Sequence, residues 1–167
     1  CCRLKVLVAQ LGPRMYYGVP EILYDVGLLS EMCTDFYVGK LPWRLLFSGY
    51  ASQFLPKKAK SLSARNSRVD RYKVVAFQTF GLRYIWRLKA GGRSGDLLST
   101  YLWAGREFNR LIIHRGLSAA NCVYGFRGAS LELFEFARQR GLRTILEQVI
   151  APKAVERAFL SEEHSRW

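Results

Sequence analysis

Three short segments of the chain carry residue types suited to binding or transforming a ligand, and each follows an apolar run. The first is the loop Gly12–Gly18, whose terminal glycines permit a tight turn and the close approach of a ligand. Arg14 is suited to pairing with a phosphate group, and Tyr16 and Tyr17 are candidate substrate contacts. Because the loop matches neither GxGxxG nor a Walker A sequence, an ordinary turn with surface tyrosines is the alternative interpretation.

The second segment is Gly125–Ser130, which lies between an apolar run and an amphipathic one. Backbone amides at the start of a helix here would hold an anion, and Arg127 would add positive charge. We therefore take Arg127 as a candidate anion contact and Gly128 as a candidate substrate contact. A tight turn that simply requires small residues is the alternative.

The third segment is the polar pair Glu147-Gln148, late in the apolar run Leu142–Ile150. Polar side chains in such a run are costly unless they are hydrogen-bonded or lie at the exposed end of a strand. Glu147 is a candidate catalytic base or a partner for sugar hydroxyls, and Gln148 is a candidate substrate contact. The alternative is a structural hydrogen bond to a neighbouring loop.

Other catalytic and metal-binding patterns are missing from the sequence. It contains no HExxH motif, no Ser/His/Asp spacing and no CxxC pair among Cys1, Cys2, Cys33 and Cys122. We therefore expect no metal ion, no cofactor, cysteines that belong to the core, and reducing cytoplasmic surroundings. No uninterrupted apolar stretch is long enough to span a bilayer.

The positive charge of the chain is concentrated in its middle third. The 26 Lys and Arg residues against 13 Asp and Glu give a net charge of +13 over 167 residues. Between Lys40 and Arg93 the sequence holds 13 basic residues and a single acid, Asp70. An excess of this size favours an anionic partner, and the nearly neutral flanks indicate a basic insert in an ordinary fold.

Aromatic residues alternate with the cations of this insert, which narrows the kind of anionic partner. The segment Arg83–Lys89 reads RYIWRLK, a mixture typical of membrane interfaces and also compatible with nucleic acid. Since the chain has no RRM, KH or helix-turn-helix signature, we expect a membrane surface rather than nucleic acid. A solvated face with a few covered rings is the alternative. The candidate membrane contacts are Lys57, Lys58, Lys60, Arg83, Trp86, Arg87 and Lys89.

The elements that must position these residues begin with a strand, a helix and a second strand. The apolar run Leu4–Leu11 ends at a Gly-Pro pair and predicts a buried strand. Apolar residues near helical spacing predict a helix over Pro20–Met32, and Thr34–Val38 predicts the next strand. This order is a βαβ unit.

The middle of the chain predicts helices. Arg71–Lys89 predicts one kinked helix or two short helices divided at Gly81, followed by a hinge-like linker over Ala90–Gly95. Asp96–Arg115 predicts a helix that Asp96 or Ser94 would cap.

The last part predicts a second βαβ unit and a final helix. The ranges are Asn121–Phe126 (strand), Gly128–Arg140 (helix), Leu142–Ile150 (strand) and Lys153–Glu163 (helix). In the first of these helices the inward residues are predicted to be Leu131, Phe134 and Ala137, with Leu133 as a further candidate. The alternation predicts an α/β fold with a Rossmann-like parallel sheet and helices on both faces. We expect a single domain over residues 1–167 with the basic insert at about residues 40–95.

Two blocks of the sequence resemble a known family. The stretch NCVYGFRGASLELFEFARQRGLRTILEQVIAPKAVERAFLSEE resembles the end of the N-terminal domain of GT-B-fold glycosyltransferases of family 4, and KVLVAQLG is similar to the start of that domain. The resemblance implies transfer of a sugar from a nucleotide-sugar donor to an acceptor without a bound metal. It also implies that this domain holds the acceptor, and that a C-terminal Rossmann-like domain holds most of the donor.

The resemblance carries further expectations about activity and place. One lobe of such an enzyme would be inactive alone. Phe126 stands where the family often has a histidine, which leaves Glu147 and Arg127 as the catalytic candidates. We expect a lipid-linked or polysaccharide acceptor, an anionic membrane surface as partner, and a peripheral position on the cytoplasmic face of the membrane. A non-enzymatic basic module that binds nucleic acid or membrane is the alternative.

Overall fold

A five-stranded parallel sheet organises the described part of the chain. The computed structural model describes residues 3–39, 67–94, 96–148 and 153–166. The strands are β1 (Val6–Gln10), β2 (Leu29–Thr34), β3 (Val74–Ala76), β4 (Cys122–Phe126) and β5 (Arg143–Glu147). They pair in the spatial order β3-β2-β1-β4-β5, and every pairing is parallel. This sheet, flanked by helices, confirms the predicted Rossmann-like α/β fold.

Helices connect β1 to β2, β3 to β4 and β4 to β5, and a further helix follows β5. The helices are α1 (Gly18–Asp25), α2 (Gln78–Ser94), α3 (Leu97–Arg115), α4 (Leu131–Gln139) and α5 (Lys153–Arg166). Short 3-10 turns cover Arg14–Tyr17 and Arg71–Lys73.

The sheet separates two apolar clusters. On one face, Leu7 and Ala9 of β1 pack with buried side chains of α2, α3 and α4. On the other face, Val6 and Val8 pack with side chains of α1, including Leu23. Because successive side chains of a strand point to opposite faces, β1 contributes alternate residues to each cluster. Helices therefore cover both faces of the sheet, as predicted. We call the face that packs against α1 the α1 face, and the opposite one the α3 face.

The predicted first helix is too long. It was expected over Pro20–Met32, but it ends before Gly27, and β2 begins at Leu29. Gly27 has φ +71°, and the N–H of Leu28 donates to the carbonyl of Leu23 at 2.8 Å. This Schellman arrangement ends the helix, and the following apolar residues extend into a strand instead.

The predicted second strand lies too far along the chain. It was expected over Thr34–Val38, but β2 ends at Thr34. The next residues, Asp35, Phe36 and Tyr37, form a buried loop at the carboxyl edge of the sheet. Burial of this loop explains the apolar pattern that resembled a strand.

The segment predicted as a divided helix contains a strand and one continuous helix. Val74–Ala76 forms the edge strand β3, and α2 continues through Gly81 and through most of the predicted linker over Ala90–Gly95. A Cβ atom at Gly81 would stand 2.5 Å from the carbonyl oxygen of Asp35. The glycine therefore lets α2 approach the backbone that follows β2, and it does not break the helix.

The last elements follow the prediction closely. The carboxylate of Asp96 accepts a hydrogen bond from the N–H of Ser99 at the start of α3, as the predicted cap requires. In α4 the predicted core residues Leu133, Phe134 and Ala137 are buried. The inward placement of Leu131 is wrong, because this side chain opens to solvent at the first turn of α4.

Candidate functional site

Two aromatic side chains of β4 link Arg14, in the loop after β1, to Glu147 at the end of β5. The guanidinium carbon of Arg14 lies 5.6 Å from the centre of the Phe126 ring, and this ring contacts Tyr124 edge-on, with 5.7 Å between ring centres. The Tyr124 hydroxyl donates to Oε2 of Glu147 at 2.6 Å. Gln148, the next residue, is exposed. We call Arg14, Tyr124, Phe126 and Glu147 the Arg14–Glu147 cluster.

Tyr124 contributes a protonated phenol to this cluster. Burial, together with the hydrogen bond to Glu147, raises the pKa of Tyr124 to about 12, so the phenol stays protonated at neutral pH. A carboxylate accepts up to about four hydrogen bonds, so the bond from Tyr124 leaves capacity for a ligand hydroxyl. The sequence reasoning missed Tyr124. Its signal was a tyrosine two residues before the end of a strand, beside a strand that ends in a glutamate.

The loop after β1 contains a left-handed turn. Met15, Tyr16 and Tyr17 have φ values of 47°, 51° and 64°, and each side chain in this region costs about 1–2 kcal/mol. Strained backbone of this kind clusters at ligand sites. Tyr16 is 78% exposed, whereas Tyr17 is buried in the core and donates its hydroxyl to the carbonyl of Phe36 at 3.3 Å. The turn therefore presents Arg14 and Tyr16 outward and is anchored by Tyr17.

Two buried polar side chains hold this turn in place. Nε2 of Gln10 donates to the carbonyl of Arg14 at 2.7 Å and to that of Gly12 at 3.2 Å. The N–H of Gly12 donates to Oδ1 of Asp35 at 3.0 Å. Gln10 ends β1 and Asp35 follows β2, and both are fully buried. Sequence reasoning missed them both, although a polar residue that closes an apolar strand next to a glycine loop was the available signal.

The Arg127 segment lies on the α3 face, away from the Arg14–Glu147 cluster. Arg127 and Gly128 line a cleft of about 510 Å³ between α3 and the start of α4. Ser130 does not cap α4 with its side chain, because its hydroxyl donates to the carbonyl of Phe126 at 2.9 Å. The N–H of Arg127 donates to the carbonyl of Glu147 at 3.1 Å, which joins the backbones of the two segments. The three predicted segments thus form two sites.

The described part of the basic insert exposes apolar and basic side chains on α2. Leu82, Trp86 and Lys89 are exposed and lie at helical spacing on one face. This places two of the predicted membrane contacts, Trp86 and Lys89, outward. The predicted contacts Lys57, Lys58 and Lys60 lie outside the described residues.

The other two predicted membrane contacts stack on a ring. The guanidinium carbons of Arg83 and Arg87 lie 5.8 Å and 4.0 Å from the centre of the Trp103 ring. These cation–π contacts join α2 to α3. Arg83 and Arg87 therefore contribute to packing between the two helices as well as to surface charge.

The first turns of α3 form a second apolar surface. Leu98, Tyr101 and Leu102 are exposed and lie on one face of the helix; we call them the α3 ridge. At Gly105, α3 meets the loop after β4, because a Cβ there would stand 2.9 Å from the carbonyl oxygen of Gly128. The ridge precedes that contact, and it therefore lies beyond the carboxyl edge of the sheet.

Neither a metal-binding cluster nor a membrane-spanning helix is found among the described residues. Within residues 3–39, 67–94, 96–148 and 153–166, no group of three or more His, Cys, Asp or Glu side chains is placed to hold a metal ion. In the same ranges, no helix combines the length and the apolar character that crossing a bilayer requires. Cys33 and Cys122 are buried, as predicted for core residues.

The chain was compared with known proteins at the level of family, sequence and fold. No family model matches it, and the searches of curated proteins and of solved structures returned no match either.

Proposed function

We propose that this domain binds the acceptor in a GT-B glycosyltransferase that works at a membrane surface. In this proposal the acceptor is lipid-linked or part of a cell-surface polysaccharide, and a second Rossmann-like domain holds most of the nucleotide-sugar donor. The proposal rests on the resemblance of the β1 and β4–β5 segments and on the chemistry at the ends of those strands.

The observation that carries the proposal is the Arg14–Glu147 cluster. In open parallel sheets, ligands bind beyond the carboxyl ends of the strands where the strand order reverses, and β1 and β4 are neighbours at that point here. A carboxylate and a protonated phenol suit sugar hydroxyls, and an arginine suits a phosphate.

Each member of the cluster has a distinct role in the proposal. Glu147 accepts the hydrogen bond, and then the proton, of the acceptor hydroxyl, whose oxygen bonds to the anomeric carbon of the donor sugar while the nucleotide leaves with the electrons of the broken sugar–phosphate bond. Tyr124 holds the carboxylate through its 2.6 Å hydrogen bond. Arg14 pairs with a phosphate of the donor or of the acceptor.

Sugar transfer by the complete gene product tests this proposal. Radiolabelled nucleotide-sugars are supplied with membrane lipids and polysaccharide as acceptors. We expect transfer, a fall in kcat of about a hundredfold or more in Glu147→Gln, and a smaller fall in Tyr124→Phe. The matched control is Glu163→Gln on α5, which should retain full activity. Absence of transfer with every donor and acceptor, or full activity of Glu147→Gln, would contradict the proposal.

The exposed side chains of α2 and the α3 ridge support membrane docking as part of this function. Apolar and aromatic side chains beside lysine suit the headgroup region of an anionic bilayer. We expect the chain to co-sediment with vesicles that contain phosphatidylglycerol, and not with neutral vesicles. This binding should weaken as ionic strength rises.

A matched pair of double variants distinguishes vesicle binding through the α2 surface from binding through the overall positive charge of the chain. Trp86→Glu with Lys89→Glu should abolish most vesicle binding. Phe159→Glu with Arg157→Glu makes the same charge change on exposed residues of α5, and this variant should retain most of the vesicle binding. Equal losses in both would contradict docking by α2. Retention of the chain on RNA or DNA at physiological salt, without vesicle binding, would favour the non-enzymatic nucleic-acid module instead.

A further inference from the structure

The cleft between α3 and α4 combines apolar walls with a size suited to a small molecule. Its volume of about 510 Å³ lies within the usual range for ligand sites. Leu102 of α3, Leu131 of α4 and Leu146 of β5 all line it, and they are 54%, 69% and 50% exposed. Single exposed leucines are ordinary, but three from three elements around one cleft form an apolar patch that marks a binding surface.

Small residues line this cleft at the point where its two walls meet. Gly105, Gly128 and Ala129 line it where α3 meets the loop after β4. The close approach of Gly105 to the carbonyl of Gly128 leaves no room for a larger side chain there. The ring of Phe134 completes the apolar lining.

Positive charge predominates at the rim of the cleft. Three arginines and two glutamates line it: Arg106, Arg127, Arg138, Glu132 and Glu135. Glu132 accepts a hydrogen bond from Nδ2 of Asn109 at 2.5 Å, and its other carboxylate oxygen lies 3.9 Å from Nε of Arg106, so three arginines against two glutamates leave the rim with one net positive charge. The cleft also lies at the N-terminus of α4, whose dipole favours an anion.

We propose that this cleft binds an acidic lipid, with its hydrocarbon chain against the three leucines and its phosphate group on Arg106 and Arg127. Leu102 belongs both to the cleft and to the α3 ridge, so a chain that leaves a bilayer at the ridge reaches the cleft along apolar surface. This inference rests on the proposed function, because it takes the acceptor of the sugar to be a lipid that carries a phosphate group.

Titration calorimetry of the 167-residue chain with soluble alkyl compounds tests this site. The probes are octyl phosphate and hexyl phosphate below their micelle concentrations, together with 1-octanol and inorganic phosphate. We expect one octyl phosphate per chain, bound more tightly than the other three probes. Each methylene between hexyl and octyl phosphate should strengthen binding by about two- to fourfold.

Variants separate the two halves of the ligand. Leu131→Asp changes a side chain that is 69% exposed, and it should weaken octyl phosphate binding at least tenfold. Arg106→Gln with Arg127→Gln should weaken octyl phosphate about tenfold and leave 1-octanol binding unchanged. The controls are Leu160→Asp and Arg166→Gln on α5, which should bind octyl phosphate as the unmodified chain does.

Several outcomes would overturn the inference. These are equal affinity for inorganic phosphate and octyl phosphate, binding only above the micelle concentration, or unchanged binding in Leu131→Asp. The test also separates this site from the proposed function. Binding of octyl phosphate without sugar transfer by the complete gene product would contradict only the glycosyltransferase, and transfer with unchanged binding in the cleft variants would contradict only the cleft.

Discussion

Tyr124 and Glu147 stand on neighbouring strands, and the burial of Tyr124, together with its hydrogen bond to Glu147, favours the protonated phenol in the folded chain. The folded-state pKa of Tyr124 is about 12, above the ordinary value of 10.0. Its stabilising contribution is therefore complete below pH 10 and is lost as the pH rises toward 12. The pH dependence of unfolding can isolate this contribution.

We expect the free energy of unfolding of the unmodified chain to fall relative to that of Tyr124→Phe between pH 10 and about 12. The phenylalanine variant has no phenol to ionise at this position. Urea unfolding at several pH values in this window measures the difference. Tyr101→Phe, at an exposed tyrosine of the α3 ridge, should keep the pH dependence of the unmodified chain, and parallel curves for Tyr124→Phe would contradict the expectation.

The left-handed turn predicts that a smaller residue stabilises the chain. Met15 is exposed and has φ 47°, a conformation that glycine adopts freely. Relief of strain outweighs the greater unfolded-state entropy of glycine, so Met15→Gly should raise the free energy of unfolding by about 0.5–1 kcal/mol. Met15→Ala removes the side chain but keeps the strain. A gain in the alanine variant equal to that in Met15→Gly, measured by urea unfolding, would rule out strain as the cause.

At the scale of elements, two glycines of α2 have opposite expected effects. Gly81 packs against the carbonyl of Asp35, so Gly81→Ala should lower the free energy of unfolding by about 1–3 kcal/mol. Gly92 has open space around its Cβ position, and Gly92→Ala should raise the free energy by about 0.5–1 kcal/mol. Chemical denaturation of both variants measures the difference. Similar effects at the two positions would show that helix propensity alone decides.

The elements that the sequence predicts well carry their own local signals. β4, α4 and β5 have apolar runs separated by turn glycines, and α3 has Asp96 as its cap, so local chemistry defines their bounds. The predicted position of β2 was wrong because Leu28 and Leu29 fit helical spacing and were assigned to the preceding helix. Only the left-handed conformation of Gly27 ends α1 before them. β3 has three residues and becomes a strand only by pairing with β2, which is a tertiary effect.

The candidate site was predictable only in part, for the same physical reason. Polar residues at strand ends identified Arg14 and Glu147 as candidates. Their link through Tyr124 and Phe126 depends on strand order and register, which one sequence does not state. Because successive side chains along a strand point to opposite faces, Arg127 and Leu146 lie on the α3 face. Both line the cleft there, on the other face from Tyr124 and Phe126.

At the scale of the whole molecule, protection of the backbone should fall from the centre of the sheet to its edge. All five residues of β1 are buried, and β1 pairs on both sides with neighbouring strands. β5 lies at one edge of the described sheet, and three of its five residues are exposed. We expect amides of β1 to exchange only on global unfolding and those of β5 to exchange much faster. Hydrogen exchange followed by NMR tests this, and equal protection of the two strands would contradict it.

The pairing of β1 with β4 also constrains the order in which the chain can fold. The hydrogen bond from the N–H of Lys5 to Oδ1 of Asn121, at the start of that pairing, closes 116 residues of chain. Closing so long a loop costs entropy before the contacts repay it, and such non-local topologies fold slowly. Arg14 and Phe126 meet only across this pairing, so we expect the Arg14–Glu147 cluster to form late. An early intermediate with only the local unit of β4, α4 and β5 would therefore lack the ligand site, and ligand binding would report that folding is complete.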